Sequence, residues 1–335
     1  MEKTIIDDKR VLAELILDGM DLSPYDYSSI TDMEEMFNES DITYELLEKA
    51  NLDTSNVTSI NSMFGSCKKL TTIPLLDTSN VTDMSYVFNG CENLTSIPKL
   101  DTSKANTMRW MFRECSKLTT IPELDSSNVT DMVAMFYRCE NLTSIPKLDT
   151  SNVTDIKGMF RGCKSLTTIS ELDTSNVTDM TQMFSVCSSL TTIPKLDTSK
   201  VTNMASMFNE CSSLTTIPEL DTSNVTDMNY MFRGCLKLTS IPKLDTSNVT
   251  DMKYLFNGCK SLTTIPKLDT SKVSNTSYIF SRCSNLSLKS ILLNKDLMEE
   301  FDDSIMNKYK NIISIDNIED LDERKINILS KIFEE

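Results

Sequence analysis

The chain has 335 residues, of which 39% are hydrophobic and 24% charged, with 33 Lys and Arg against 49 Asp and Glu, no histidine, and a formal net charge of −16. That balance excludes a nucleic-acid ligand, which needs clustered cations, and disfavours an anionic membrane surface for the same reason. No apolar run approaches the roughly 18 residues of a membrane-spanning helix, so insertion into a membrane is excluded as well.

The first residues, MEKTIIDDKRVLAELILDGMDLSP, break their apolar positions with Asp, Lys, Arg and Glu. They contain no continuous apolar stretch of the kind that a secretory signal requires. As written, the chain is expected in the cytoplasm, with release by lysis or a surface location as the alternatives. A helix around Val11 to Leu17 is expected to seal one end, within an N-terminal cap over residues 1–52.

From Asp53 the sequence becomes periodic. Asp53, Asp77, Asp101, Asp125, Asp149, Asp173, Asp197, Asp221, Asp245 and Asp269 each open a unit of 24 residues, and the ten units run without insertion over 53–292. An imperfect copy precedes them, with Asp26, Ile30, Met33, Met36 and Phe37 in register and Ser40 where the other units carry Cys. Counting from the opening Asp, position 5 is Val or Ala, position 8 is mostly Met or Ile, position 12 is always Phe and position 15 always Cys. Leu follows at 18 and 24, with Ile at 21 in all but one unit. Steps of three and four predict a short helical or 3₁₀ segment with one buried face. The Leu-Thr-Thr-Ile run after it predicts a short strand, ended by Pro at position 22, which has no N–H for a ladder. Asp-Thr-Ser-Asn predicts a turn. One unit cannot bury its own apolar face, whereas stacked units share a core. The expected fold is therefore an α/β solenoid of equal coils with one short parallel β-strand per coil, right-handed because parallel crossovers are.

The phrases Cys-x-x-Leu-x-x-Ile, Asn-Val-Thr-x-Met and Met-Phe-x-x-Cys, in units such as DTSNVTDM followed by MF, resemble the BspA-like, Treponema-type leucine-rich repeat of bacterial surface proteins. The resemblance covers about residues 26–292. It implies a leucine-rich-repeat solenoid without catalytic activity, used for adhesion and protein binding, and similar repeats occur in phage-encoded proteins.

Residues 293–335 leave the repeat. Leu297, Phe301 and Ile305, then Leu321, Ile328 and Ile332, have helical spacing and predict a second helical cap, or a docking element.

Among residues that could carry chemistry, the ten cysteines at position 15 stand three residues after the buried Phe. They are expected to be reduced apolar fillers, because each internal one has two equivalent neighbours and no CxxC or His is present to build a zinc site. The opening Asp is expected to hold its turn, and the Asp at position 7 of six units to favour a helix start. No metal or cofactor is expected.

Two varying sets are candidate partner-binding residues. Position 23 alternates in sign through Lys99, Glu123, Lys147, Glu171, Lys195, Glu219 and Lys243, either a self-neutralising ladder or a pattern that selects a partner's register. Positions 9, 10, 13 and 14 face outward if 8, 12 and 15 face in. They collect Tyr86, Trp110, Tyr230, Tyr254 and Tyr278 at position 10, with Arg109, Arg113, Arg138 and Arg161 beside them. Tyr, Trp and Arg are the residue types most often found at binding hot spots. The expected function is a non-enzymatic protein-binding scaffold. The alternative is a structural or host-surface-binding component, a phage virion protein or an adhesin reading a protein or a glycan.

Overall fold

The computed structural model describes residues 3–300. Phe301, Ile305, Leu321, Ile328 and Ile332 of the expected C-terminal cap lie outside the described residues. The chain divides into two compact units, Met1–Asn176 and Val177–Glu335.

In the first unit a short strand β1 (Thr4–Ile5) pairs in parallel with β2 (Tyr25–Asp26), and helix α1 (Lys9–Leu17) lies between them in sequence. The Asp8 side chain accepts from Arg10 N and caps α1, which buries Leu12, Ala13 and Ile16. Helix α2 (Tyr44–Ala50) is capped by Thr43 and ends at Asn51 in the left-handed conformation. This helix replaces the extended run of an ordinary coil, which accounts for the longer spacing between Asp26 and Asp53. The imperfect copy is a true coil, since the Phe37 ring stacks on Phe64 at 5.8 Å.

The repeat is a solenoid coil in both units, but its internal conformation differs from the sequence expectation. Positions 9 to 14 form no helical segment. They are a chain of turns in which position 11 donates to 8 and position 15 to 12, as in Met111 N to Met108 O (3.2 Å) and Cys115 N to Phe112 O (3.1 Å). Positions 10 and 14 both have positive φ, as at Trp110 (58°) and Glu114 (62°), the conformation that the third residue of a type II turn requires. Alternation of turn and left-handed residue sends every second amide to the next coil. Met108 N, Trp110 N, Phe112 N and Glu114 N donate to Asp131 O, Val133 O, Met135 O and Tyr137 O at 2.7–3.0 Å.

This ladder takes the place of the expected strand. Within the described coils parallel pairing consists of isolated bridges, most of them at position 7, from Asp32↔Ser59 to Asp131↔Asp155 in the first unit and from Asp179↔Asn203 to Asp251↔Asn275 in the second. A further bridge joins Ser240 and Thr264. The Leu-Thr-Thr-Ile run contributes single bonds between some coils, such as Thr95 N to Thr71 O at 2.9 Å and Thr143 N to Thr119 O at 3.1 Å. Proline at position 22 removes the donor that would extend it.

The core follows the repeat. Phe88, Phe112, Phe136 and Phe160 are fully buried and stack at 5.6–5.7 Å. In the second unit Phe184, Phe208, Phe232, Phe256 and Phe280 stack at 5.6–6.0 Å. Positions 5, 8, 11, 15, 18 and 24 close around them. The last coil turns into helix α3 (Leu288–Leu293) and a 3₁₀ segment (Lys295–Glu300). Side chains there supply what a following coil would. Ser290 Oγ accepts from Ile265 N, Asn294 Oδ1 from Leu268 N, and the Glu300 carboxylate from Tyr278 N and Thr276 Oγ1. Among the described residues no helix is long and apolar enough to cross a membrane.

Candidate functional site

The ladder decides where side chains go. Positions 8, 12 and 15 enter the core, and the turn residues at 9, 10, 13 and 14 recur one coil spacing apart with their aromatic and arginine side chains at least partly exposed. The expected outward orientation does not hold for every coil, since Ser85, Val133, Ala134, Ser185 and Ala205 at these positions are buried. Each aromatic at position 10 is held by its own amide, which donates to the next coil or, for Tyr278, to the Glu300 carboxylate. Tyr86 N bonds Arg109 O at 2.9 Å and Tyr230 N bonds Lys253 O at 2.8 Å. The rings sit on left-handed backbone that costs a non-glycine residue roughly 1–2 kcal/mol, and Gly158 and Ala134 occupy the same position in other coils.

In the first unit the outward face gathers an aromatic and guanidinium cluster. Tyr86 and Trp110 meet at 5.0 Å with planes inclined by 53°. Arg113, Tyr137 and Arg161 occupy position 13 of three successive coils, and both guanidiniums lie 5.2 Å from the Tyr137 ring centre. Arg113 also lies over Trp110 at 4.9 Å, and Arg138 over Tyr137 at 5.5 Å. Two carboxylates brace the cluster. Asp131 holds Arg109 at 3.0 Å, and Glu114 holds Arg113 at 2.8 Å while standing 3.9 Å from Arg138. Partial burial opposes the charge of Arg109, but Asp131 and Tyr86 beside it raise its pKa further. Trp110 Nε1 is buried and has no hydrogen-bond partner among the described residues. Tyr137 is the member that sequence reasoning missed. The signal was its place at position 13, between arginines 24 residues away on either side.

In the second unit Tyr230, Tyr254 and Tyr278 form a continuous stack, with successive centres 4.9 Å apart and planes within 19°. Lys253 lies over Tyr254 at 5.5 Å and Arg233 pairs with Glu210 at 2.7 Å. Tyr278 is the most exposed of the three, at 56%.

The position-23 residues lie elsewhere, along a groove bordered by Leu at 24 and Asp at 1. Lys99 and Glu123 line a cavity of about 970 Å³ with Leu75, and Lys147 and Glu171 one of about 610 Å³. All of Lys99, Glu123, Lys147 and Glu171, and in the second unit Lys195, Glu219 and Lys243, are exposed. Among the described residues none of these closes an ion pair with its neighbour.

The repeated polar residues are occupied by the fold. Asp at position 1 accepts from the amide of position 3, as in Ser103 N to Asp101 at 3.0 Å, and hydrogen bonds from Ser103 hold its carboxyl below the usual range. Asp at position 7 braces a turn and not a helix start, as in Val133 N to Asp131 at 2.9 Å. The cysteines are all free and buried. They do more than fill space, because the thiol reaches back to the Phe carbonyl of the preceding coil, as in Cys139 Sγ to Phe112 O at 3.0 Å. Burial pushes the thiol of Cys67 up to about 11 and that of Cys211 up to about 12.

Against known proteins, the model of the family described as "Mycoplasma protein of unknown function, DUF285" matches repeatedly, over residues 11–96, 46–143, 71–168, 107–215, 140–237 and 214–310. No curated protein matches. Among solved structures, a leucine-rich repeat protein from Bacteroides ovatus is 20% identical, with a TM-score of 0.36 over 75% of this chain and 80% of that one. A leucine-rich cell surface protein from Faecalibacterium prausnitzii is 19% identical, with a TM-score of 0.39 over 85% and 82%. The leucine-rich repeat protein of T. pallidum is 18% identical, with a TM-score of 0.23 over 74% and 78%. The family matches, overlapping at shifts that are not tied to one start, are what an array of BspA-like leucine-rich repeats produces, and the chain belongs to the DUF285 family.

Proposed function

We propose that this chain is a non-catalytic binding scaffold and that a protein docks on the outward turns of its coils. The observation that carries the reading is the Arg113–Tyr137–Arg161 column with Trp110 beside it. Rigid aromatic and guanidinium groups on a fixed backbone are what interface hot spots are made of. The groups that could serve catalysis have structural work instead. The thiols are buried with raised pKa, and the Asp side chains hold turns in every coil.

The test is capture from the native source by the intact chain and by a Trp110→Ser/Tyr137→Ser variant, with bound proteins identified by mass spectrometry. A protein retained by the first and lost by the second supports the reading. Equal recovery by both, or a hydrolytic activity abolished by one substitution, overturns it. The finer reading, an adhesin or virion component, predicts the chain on the outside of intact cells or in particles, and protease shaving of intact cells checks it.

A further inference from the structure

At position 2 of the first unit's coils a hydroxyl crosses to the coil that follows. Thr54, Thr78, Thr102 and Ser126 donate to the carbonyl oxygens of Asp77, Asp101, Asp125 and Asp149 at 2.7–2.9 Å. Thr150 breaks the series. It is 3% exposed, and its Oγ1 has no hydrogen-bond partner. The sequence marks the place, because Ser170 stands where the two preceding coils carry Pro122 and Pro146. That substitution comes three residues before the Asp173 carbonyl, which the series would pair with Thr150. A buried hydroxyl left unpaired is costly, so this one calls for a partner. Thr150 lines the cavity of about 610 Å³ in the groove, together with Asp125, Asp149, Asp173, Glu171 and a single cation, Lys147.

We infer that this cavity seats a linear polyamine whose amines are three carbons apart, with successive ammonium groups on Asp125 and Asp149 and the Thr150 hydroxyl accepting an N–H beside Asp149. The site lies in the groove and not on the outward turns, so it stands or falls apart from the scaffold reading. Three observations join the orphaned hydroxyl. First, each carboxylate has an oxygen to spare. Ser127 N and Oγ both donate to Asp125 Oδ1, and Ser151 N and Oγ both donate to Asp149 Oδ1, at 2.7–3.1 Å. Oδ2 of each accepts nothing among the described residues, and both side chains are exposed. Second, their charge is poorly compensated. Asp101 and Asp149 oppose the ionisation of Asp125 from either side, against hydrogen bonds from Ser127 that keep it ionised. Third, the spacing fits. The bridge Asp131↔Asp155 pairs these two coils as parallel strands, which sets equivalent residues about 4.8 Å apart. Two amines on a three-carbon chain stand about 5 Å apart when extended, from ordinary single-bond lengths.

Other cations fit this cavity less well. Among the described residues no three acidic side chains converge to hold one metal ion, so the negative charge is strung along the column and not gathered at a point. A lysine-rich segment carries its ammoniums on flexible four-carbon stems. On an extended chain its same-side lysines recur about every 6.6 Å and fall out of step with the coils. Lys147 is the one competitor within the cavity, and its charge already favours the ionised Asp149.

The full chain is titrated by isothermal calorimetry with three cations of three amines each. Norspermidine spaces them by three carbons, bis(hexamethylene)triamine spaces them by six, and acetylated trilysine amide carries them on a peptide. The expected result is saturable binding of norspermidine that weakens as salt rises, with roughly tenfold weaker binding of the other two. Asp149→Asn keeps an oxygen for Ser151 but removes the charge, and is expected to bind norspermidine roughly tenfold more weakly. Thr150→Val deletes the hydroxyl alone. It is expected to weaken binding severalfold while the Tm of the free protein holds or rises, because no internal hydrogen bond is lost. Lys147→Gln removes the competing cation and is expected to tighten binding. Unchanged circular dichroism shows that all three variants remain folded. No saturable binding of norspermidine, equal binding of the six-carbon triamine, or tighter binding of the peptide would each overturn the inference. So would undiminished affinity in Asp149→Asn or Thr150→Val, or weaker binding by Lys147→Gln.

Discussion

At the scale of single residues, the cysteines show how a repeat converts one side chain into a structural part. Within each unit the thiols donate to a Phe carbonyl one coil back while filling a core site, for example Cys115 Sγ to Phe88 O at 3.1 Å and Cys259 Sγ to Phe232 O at 3.0 Å. Burial raises the thiol pKa, so the thiolate that attacks disulfides is scarce at neutral pH. The expected outcome is that no cysteine of the folded chain reacts with an aromatic disulfide reagent at pH 7, that all ten react in guanidinium, and that reductant leaves Tm unchanged. Rapid reaction of the native protein would place the thiols at the surface and undo the inside–outside assignment. The buried role of Cys was legible from its spacing after Phe. Its hydrogen bond was not, because the acceptor belongs to a different coil and no local pattern marks it.

At the scale of the element, the coil is where sequence and structure part most. The three–four spacing of buried residues was legible and correct about which side chains enter the core. It did not distinguish a helix from linked turns, since turns with left-handed residues at positions 10 and 14 return the chain with the same spacing. A glycine at these positions was the available signal, but only Gly90, Gly158, Gly162, Gly234 and Gly258 supply it, and tyrosines, serines and even Val186 hold the others. The consequence can be measured at Gly162, whose φ is +79°. A Cβ there would stand 3.1 Å from Arg138 Cγ and 3.3 Å from Arg138 Cα. Gly162→Ala is expected to cost about 1–2 kcal/mol in chemical denaturation and to perturb Trp110 emission through the displaced Arg138. A neutral effect on both would show that the turn relaxes freely. The Phe column has a larger stake. Phe136 stacks on Phe112 and Phe160 at 5.7 Å on both sides, so Phe136→Ala is expected to cost roughly 3–5 kcal/mol. Hydrogen exchange should rise in the adjoining coils as well as its own, because each coil completes its neighbours' core. Loss confined to one coil would contradict that sharing.

At the scale of the whole molecule, the columns of Asp govern how stability responds to pH. The carboxyls of Asp77, Asp101, Asp125 and Asp149 are held below their ordinary value of 3.8, chiefly by hydrogen bonds from the serine two residues on. A depressed carboxylate favours the folded state above its unfolded pKa and loses that contribution as pH falls through its folded one. Tm is therefore expected to hold from neutral pH to about 4 and to fall below it. Asp227 runs the other way. Burial raises its pKa, and the nearby Asp251 and Asp179 raise it further, against hydrogen bonds from Asn229. A raised carboxyl favours folding below 3.8 and costs stability as pH rises above it. The repeat contains its own neutral substitute, because Asn203 stands at the same position one coil earlier and accepts from Ala205 N at 2.9 Å. Asp227→Asn is accordingly expected to raise Tm at pH 7, with a gain that shrinks as pH falls and vanishes below 3.8. A lower Tm for the variant at pH 7 would mean that the bonds from Asn229 to the ionised carboxylate outweigh its burial, and Asp227 would then belong with the stabilising columns.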